Sequence, residues 1–82
     1  MRKEQVKAGG RDFEVQELTI GQALPIIPRM SGEESAQAQI ELLDASVTES
    51  GNAVLVAELP FSMFTPLLEA AMRVNGFASG ED

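Results

Sequence analysis

The stretch ELPFSMFTPLLEAAMRVNG, residues 58–76, decides how the rest of the chain must fold. It reads as a helix with a defined start and stop. Either Ser62 or Thr65 can cap it, and Thr65 followed by Pro66 fits the preference for proline at the first helical position. Asn75-Gly76 closes it, because glycine accepts the left-handed backbone that ends a helix. Thr65, Glu69 and Arg73 recur every four residues and form a thin polar stripe, on which Glu69 and Arg73 can pair. The rest of the circumference is apolar, and a helix apolar this far round is buried on more than one side. Leu67, Leu68, Ala71 and Phe64 read as core. Met63, Met72 and Val74 stand between core and interface. The candidate partner-binding residues are therefore Met63, Phe64, Met72 and Val74.

Cover for that helix has to come from upstream. Residues 3–17 read as a β-hairpin: Phe13 and Val15 alternate with Asp12, Glu14 and Gln16, the period of a half-buried strand. Val6 lies between Gln5 and Lys7 on the first strand, and Gly9-Gly10 supplies the positive φ of a tight turn. Residues 18–30 open on a capping box, Thr19 with Gln22. Pro25 then removes a helical donor and crowds the preceding turn. The expectation is a short or kinked helix to about Ile27, with Ile20, Leu24 and Ile27 on one face. Residues 31–50 predict a longer helix. Its signals are a second box from Ser31 to Glu34, Glu33 and Glu34 in the first turn, and a stripe of Ala36, Ile40, Leu43 and Val47. Gly51-Asn52 reads as its stop. Residues 53–59, AVLVAEL, admit either a strand or a short helix, because so short an apolar run has no decisive period. The fold expected is α+β: an N-terminal β-hairpin packed against a small bundle of three to four α-helices. A single domain, 1–82, divides into the hairpin at 3–17, a helical part at 18–76 and a flexible tail at 77–82, whose Phe77 can fold back on the helix end.

Composition narrows function. A chain of 82 residues buries only roughly 60% of its unfolded surface, which favours some further source of stability. Cysteine and histidine are both absent, which excludes a disulfide, a thiolate metal site and the commonest general base. No cofactor and no metal are expected, and a partner or a second copy is the remaining option. Arg2, Lys3, Lys7 and Arg11 against Glu4 give the first eleven residues a net +3, and twelve acids against Arg29 and Arg73 give the rest −10. A body that negative repels phosphate, so nucleic acid is not an expected partner. No segment reaches the roughly 18 apolar residues of a membrane span. The basic opening is followed by no secretory apolar run. The expected place is the cytoplasm.

Catalytic signals are missing. Asp12 and Glu14 share a strand face and read as solvated side chains rather than a cation seat. Ser31, Ser35, Ser46 and Ser50 have no histidine to activate them. Gly9-Gly10 lacks the helix and the Lys-Ser/Thr pair of a phosphate loop. An enzyme is not expected.

The order of features resembles the small tail assembly chaperones of long-tailed bacteriophages. In them an apolar-x-apolar-x-Glu-Leu-Thr strand leads into the first helix, matched here by Phe13, Val15, Glu17, Leu18 and Thr19. A Leu-Pro-x-x-x-Phe motif opens a last helix that ends near Val-Asn, matched by Leu59, Pro60, Phe64, Leu68, Val74 and Asn75. The likeness spans residues 13–77 and departs from the family at Pro25 and Pro28. It implies a non-enzymatic role in the host cytoplasm: binding the tape measure protein until tail tube protein polymerises around it, with self-association into a homo-oligomer through apolar helix surface. It also implies a helical segment at Ala53–Glu58, and a short form of a protein that is also made longer by frameshifting. The competing expectation is a small acidic phage or bacterial inhibitor or adaptor that docks a host protein. Glu33, Glu34, Glu41, Asp44 and Glu49 come nearest to the carboxylate array this needs.

Overall fold

The computed structural model describes residues 1–76. The expectations for Phe77 and the tail fall outside them. The hairpin forms as read: β1 (Lys3–Ala8) pairs antiparallel with β2 (Arg11–Gln16), with Val6 opposite Phe13 and Lys3 opposite Gln16. Gly9 and Gly10 both have positive φ, 59° and 78°. That backbone turns with the strands' own twist and costs a glycine nothing. Phe13 and Val15 are buried, and Val6 is half-buried.

The sheet then grows from a segment expected to be helical. α1 (Ile20–Ala23) and the long α2 (Ser35–Ser46) intervene, after which the chain passes without a loop into β3 (Val47–Glu49). Val47 is extended, at φ −101° and ψ 132°, and pairs with Val15. β4 (Asn52–Ala53) folds back on β3, completing an antiparallel sheet in the order β1-β2-β3-β4. Ser50 and Gly51 make the turn, at φ 54° and 80°. Gly51-Asn52 is thus no helix stop. Its glycine serves a hairpin, because Val-Thr-Glu has the β-branched character to leave the helix early and join an existing strand.

The α1 region is broken up more than expected. Thr19 and Gln22 do form the reciprocal capping box. The helix then runs only four residues, followed by a 3-10 turn at Ile27–Arg29. Pro25 and Pro28 each delete a backbone donor, and together they leave no room for a continuous helix. α2 likewise starts late. No side chain caps it, and Glu33 and Glu34 precede it rather than lie in its first turn. Its buried line is Ala38, Leu42 and Ser46 with Leu43, so the stripe is rotated from the expected one, and Ala36 is exposed. The cause is β3: once Val47 belongs to the sheet, the helix must turn Leu42 and Ser46 toward the strands. Residues 53–59 satisfy neither simple expectation, with β4 taking Ala53 and a 3-10 turn taking Val56–Glu58.

α3 (Phe64–Val74) follows a 3-10 turn at Phe61–Met63. Neither Ser62 nor Thr65 caps it, since the preceding turn already delivers the chain in helical geometry. Gly76 has φ 78°, as a helix-closing glycine should. The polar stripe Thr65, Glu69 and Arg73 is exposed. Arg73 pairs with Glu4 on β1, however, and not with Glu69. The interior is a single cluster in which Phe13, Val15, Leu42, Leu43, Val47 and Leu67 are almost wholly enclosed. α3 packs against β1, β2 and α2 at once. That three-sided cover accounts for most of its apolar circumference.

Candidate binding groove

Leu59-Pro60 stops the 3-10 turn before it, and Pro60 accepts the Met63 N–H in the next one. This local path throws Phe61 outward, 84% exposed, and stacks its ring on Phe64 at 5.8 Å between centroids. Met63 points the opposite way and is buried. It sits beneath the hairpin turn, where a Cβ on Gly9 would run into its terminal methyl. The side chains of the turn therefore split, one anchoring it to the sheet and the other standing in solvent.

Between this turn and α2 lies a groove of about 390 Å³. Met63 and Leu67 contribute to its base, Ala36 and Ile40 come from α2, and Val56, Ala57 and Pro60 close the third side. Among the described residues, Gln39 is the one polar side chain in the lining, and none of them there is ionisable. Size and character suit an apolar anchor.

The four sequence-derived candidates do not form one surface. Met63 and Phe64 belong to the groove, whereas Met72 and Val74 lie roughly 13–16 Å further along α3. Val74 is buried and Met72 half-buried against the core. On α3 the sheet and α2 bury Leu67, Ala70, Ala71 and Val74, while Phe64, Leu68 and Met72 are partly buried. Phe61, Ile40 and Ala57 were missed. An aromatic directly after a proline, outside any periodic segment, was the available signal for Phe61.

A second apolar surface lies elsewhere. Ile20, Leu24 and Ile27 are 77%, 61% and 43% exposed. The helix that would have put them on one face ends at Ala23, all three side chains stand exposed, and Leu18 and Ile26 take the buried places.

The ionisable groups mostly hold one another. Arg29 forks onto Glu41 at 2.7 and 2.9 Å and also reaches Glu34 at 2.9 Å. Arg11 forks onto Glu49 at 2.9 and 2.7 Å and lies over the Phe13 ring. Hydrogen bonds from these arginines hold the Glu41 and Glu49 carboxyls below their ordinary pKa, and Arg73 does the same for Glu4. Asp12 faces Lys7 at 3.6 Å and Glu14 faces Lys3 at 3.5 Å, which occupies the acids considered for a cation. Among the described residues no group of three potential ligands gathers, and no helix is long and apolar enough to cross a membrane. Comparison with family models, with curated proteins and with solved structures gave no match.

Proposed function

We propose that the chain is a non-enzymatic binding protein that holds an amphipathic helix of a longer partner, as a phage tail assembly chaperone holds its tape measure protein in the host cytoplasm. The groove beside Phe61 is the observation that carries this reading. It is apolar, open, uncharged and flanked by two helices, the setting in which a helix docks through anchors at i, i+3 or i+4 and i+7. The exposed Phe61 ring gives such a helix a flat aromatic edge to pack on. A net charge of −7 keeps a protein with an open apolar groove dispersed. The sequence likeness to tail assembly chaperones supplies the class of client.

The inhibitor reading is less well supported. Of the five carboxylates it needs, Glu34 and Glu41 hold Arg29, Glu49 holds Arg11, and Asp44 accepts the Val56 N–H at 3.0 Å. Co-expression with a tape measure protein tests the proposal. The expected result is a soluble complex that survives high salt and is lost with Phe61→Asp. A tape measure protein that stays insoluble beside the wild-type chain refutes it.

A further inference from the structure

We infer that the outer edge of β1 takes an added strand, an extended acidic segment of another protein paired antiparallel to Lys3–Ala8. The sheet order β1-β2-β3-β4 gives β1 a single neighbour. The register fixes which of its peptide groups that neighbour uses. Ala8 pairs with Arg11 across the two-residue turn, and at the other end the Glu17 N–H donates to Arg2 O at 2.8 Å. Bonded positions alternate along an antiparallel pair. Glu4, Val6 and Ala8 therefore bond to β2, and Lys3, Gln5 and Lys7 turn their N–H and C=O groups away from it. Among the described residues no other main-chain group reaches them. All three residues are exposed. A row of outward peptide groups on an edge strand is a template for strand addition. The opposite edge, β4, has only two residues. On the core side of the edge Val6 is half-buried, although Phe13 opposite it is buried. An apolar side chain on the added strand completes that cover.

Charge selects the occupant. On the outer face of the sheet Lys3 lies 3.5 Å from Glu14 and Lys7 lies 3.6 Å from Asp12, so a row of lysines on β1 borders a row of acids on β2. An added strand places its own row about 4.8 Å from the lysines and about twice as far from Asp12 and Glu14. Opposite charges directly across a strand pair stabilise it, and like charges destabilise it. Acids in the new row are thus favoured and lysines are not. A second copy is the wrong occupant for the same reason: β1 set antiparallel on β1 about Gln5 opposes Lys3 and Lys7 twice. The remaining body is strongly acidic and repels an acidic strand, which confines such a strand to this edge. The edge is also separate from the groove. Arg73, which reaches Glu4 on β1, and Phe64, which lines the groove, stand about 180° apart around α3. The inference therefore does not rest on the proposed function, and both surfaces can be filled at once.

Amide hydrogen exchange of the full chain, read by NMR with a capped peptide Thr-Glu-Val-Glu-Val-Glu-Thr, tests this. In the free chain the Lys3, Gln5 and Lys7 amides should exchange fast, and those of Glu4, Val6 and Ala8 slowly. With the peptide at about ten times its Kd, the three fast amides should slow by about tenfold. N-methylation of its glutamates removes the donors that meet the edge, keeps the charge, and should abolish the effect. Lysine in place of each glutamate should weaken binding by about tenfold or more, and Lys3→Gln combined with Lys7→Gln in the protein by about threefold or more. Both lysines are exposed, so circular dichroism should be unchanged. Phe61→Asp should bind the peptide as wild type does. Lys3, Gln5 and Lys7 amides that are already slow in the free chain overturn the inference, because the chain itself or a second copy then holds the edge. So does an N-methylated peptide that binds as well as its parent, since ion pairing alone would account for the contact. Equal binding of the lysine peptide, loss of binding in Phe61→Asp, or no binding at about 1 mM peptide also overturns it.

Discussion

Ser46 closes α2 with its hydroxyl buried and without a hydrogen-bond partner. Replacing it with alanine should stabilise the protein. A buried hydroxyl that finds no partner costs about 1–3 kcal/mol of lost hydration, and deletion of the oxygen removes that cost. Alanine also has a higher helix propensity than serine, by up to roughly 0.5 kcal/mol. Against this, the lost atom leaves a gap on the order of 10 Å³, a loss of roughly 0.2 kcal/mol at about 24 cal/mol per Å³. The balance is a gain of about 1 kcal/mol at the least. For a domain of this size that raises Tm by about 4–8 °C. Thermal unfolding followed by circular dichroism reads it directly. Ser62→Ala, at an exposed position, serves as the control and should stay within about 0.5 kcal/mol of wild type. A Ser46→Ala protein whose Tm falls, or matches that of Ser62→Ala, would refute the reasoning, because the hydroxyl would then have been satisfied in solution.

Three other substitutions probe separate parts of the structure. Gly9→Ala combines a φ of +59° with a Cβ that meets Met63, so chemical denaturation should show a loss of about 1–2 kcal/mol from the backbone alone, with Met63 displaced in addition. Asn75→Ala removes the acceptor of the Leu18 N–H and should cost about 1–3 kcal/mol, with faster hydrogen exchange at the Leu18 amide as the local signature. Arg29→Gln should return the Glu41 carboxyl toward its ordinary pKa in a carboxyl carbon NMR titration. The sign for stability follows from the lowered values. The contributions of Glu4, Glu41 and Glu49 are complete above the unfolded pKa of about 4.3 and vanish as pH falls through their lower folded values. Tm should therefore hold down to about pH 4.5 and drop below it, and less steeply in Arg29→Gln.

Elements whose signals were purely local could be read from the sequence. The Gly9-Gly10 turn, the alternation of Phe13 and Val15, the Thr19–Gln22 box and the Asn75-Gly76 end all appear where the residues place them. Each depends on neighbours within four residues, so nothing distant could override it. The errors fall where a remote contact decides. Val47 has one stripe position on an extended α2 and another on β3, and pairing with Val15, thirty-two positions earlier, resolves the choice. That pairing then rotates the buried face of α2 and recruits Gly51 to a turn. Arg73 similarly had Glu69 within one helical turn, yet Glu4 on the adjacent strand holds it. The groove was partly legible. Met63 and Phe64 belong to it, but its outer wall depends on the direction that Pro60 gives to Phe61, which no periodicity encodes.

The two prolines of residues 18–30 link these local breaks to the surface that results. Had the helix continued from Thr19 to Ile27, Ile20, Leu24 and Ile27 would have formed a stripe about two turns long, with every reason to turn inward. Pro25 and Pro28 cut it to four residues, too few to bury a face of its own. The remaining chain reaches α2 by a tighter path, on which Ile26 rather than Ile27 enters the core. The exposure of Ile20, Leu24 and Ile27 follows from that geometry. The apolar excess suggested by residues 58–76 is therefore present in the molecule but relocated. α3 is largely covered by the sheet and α2, and among the described residues the most exposed large apolar side chains are Phe61 and Ile20, both in segments shaped by proline.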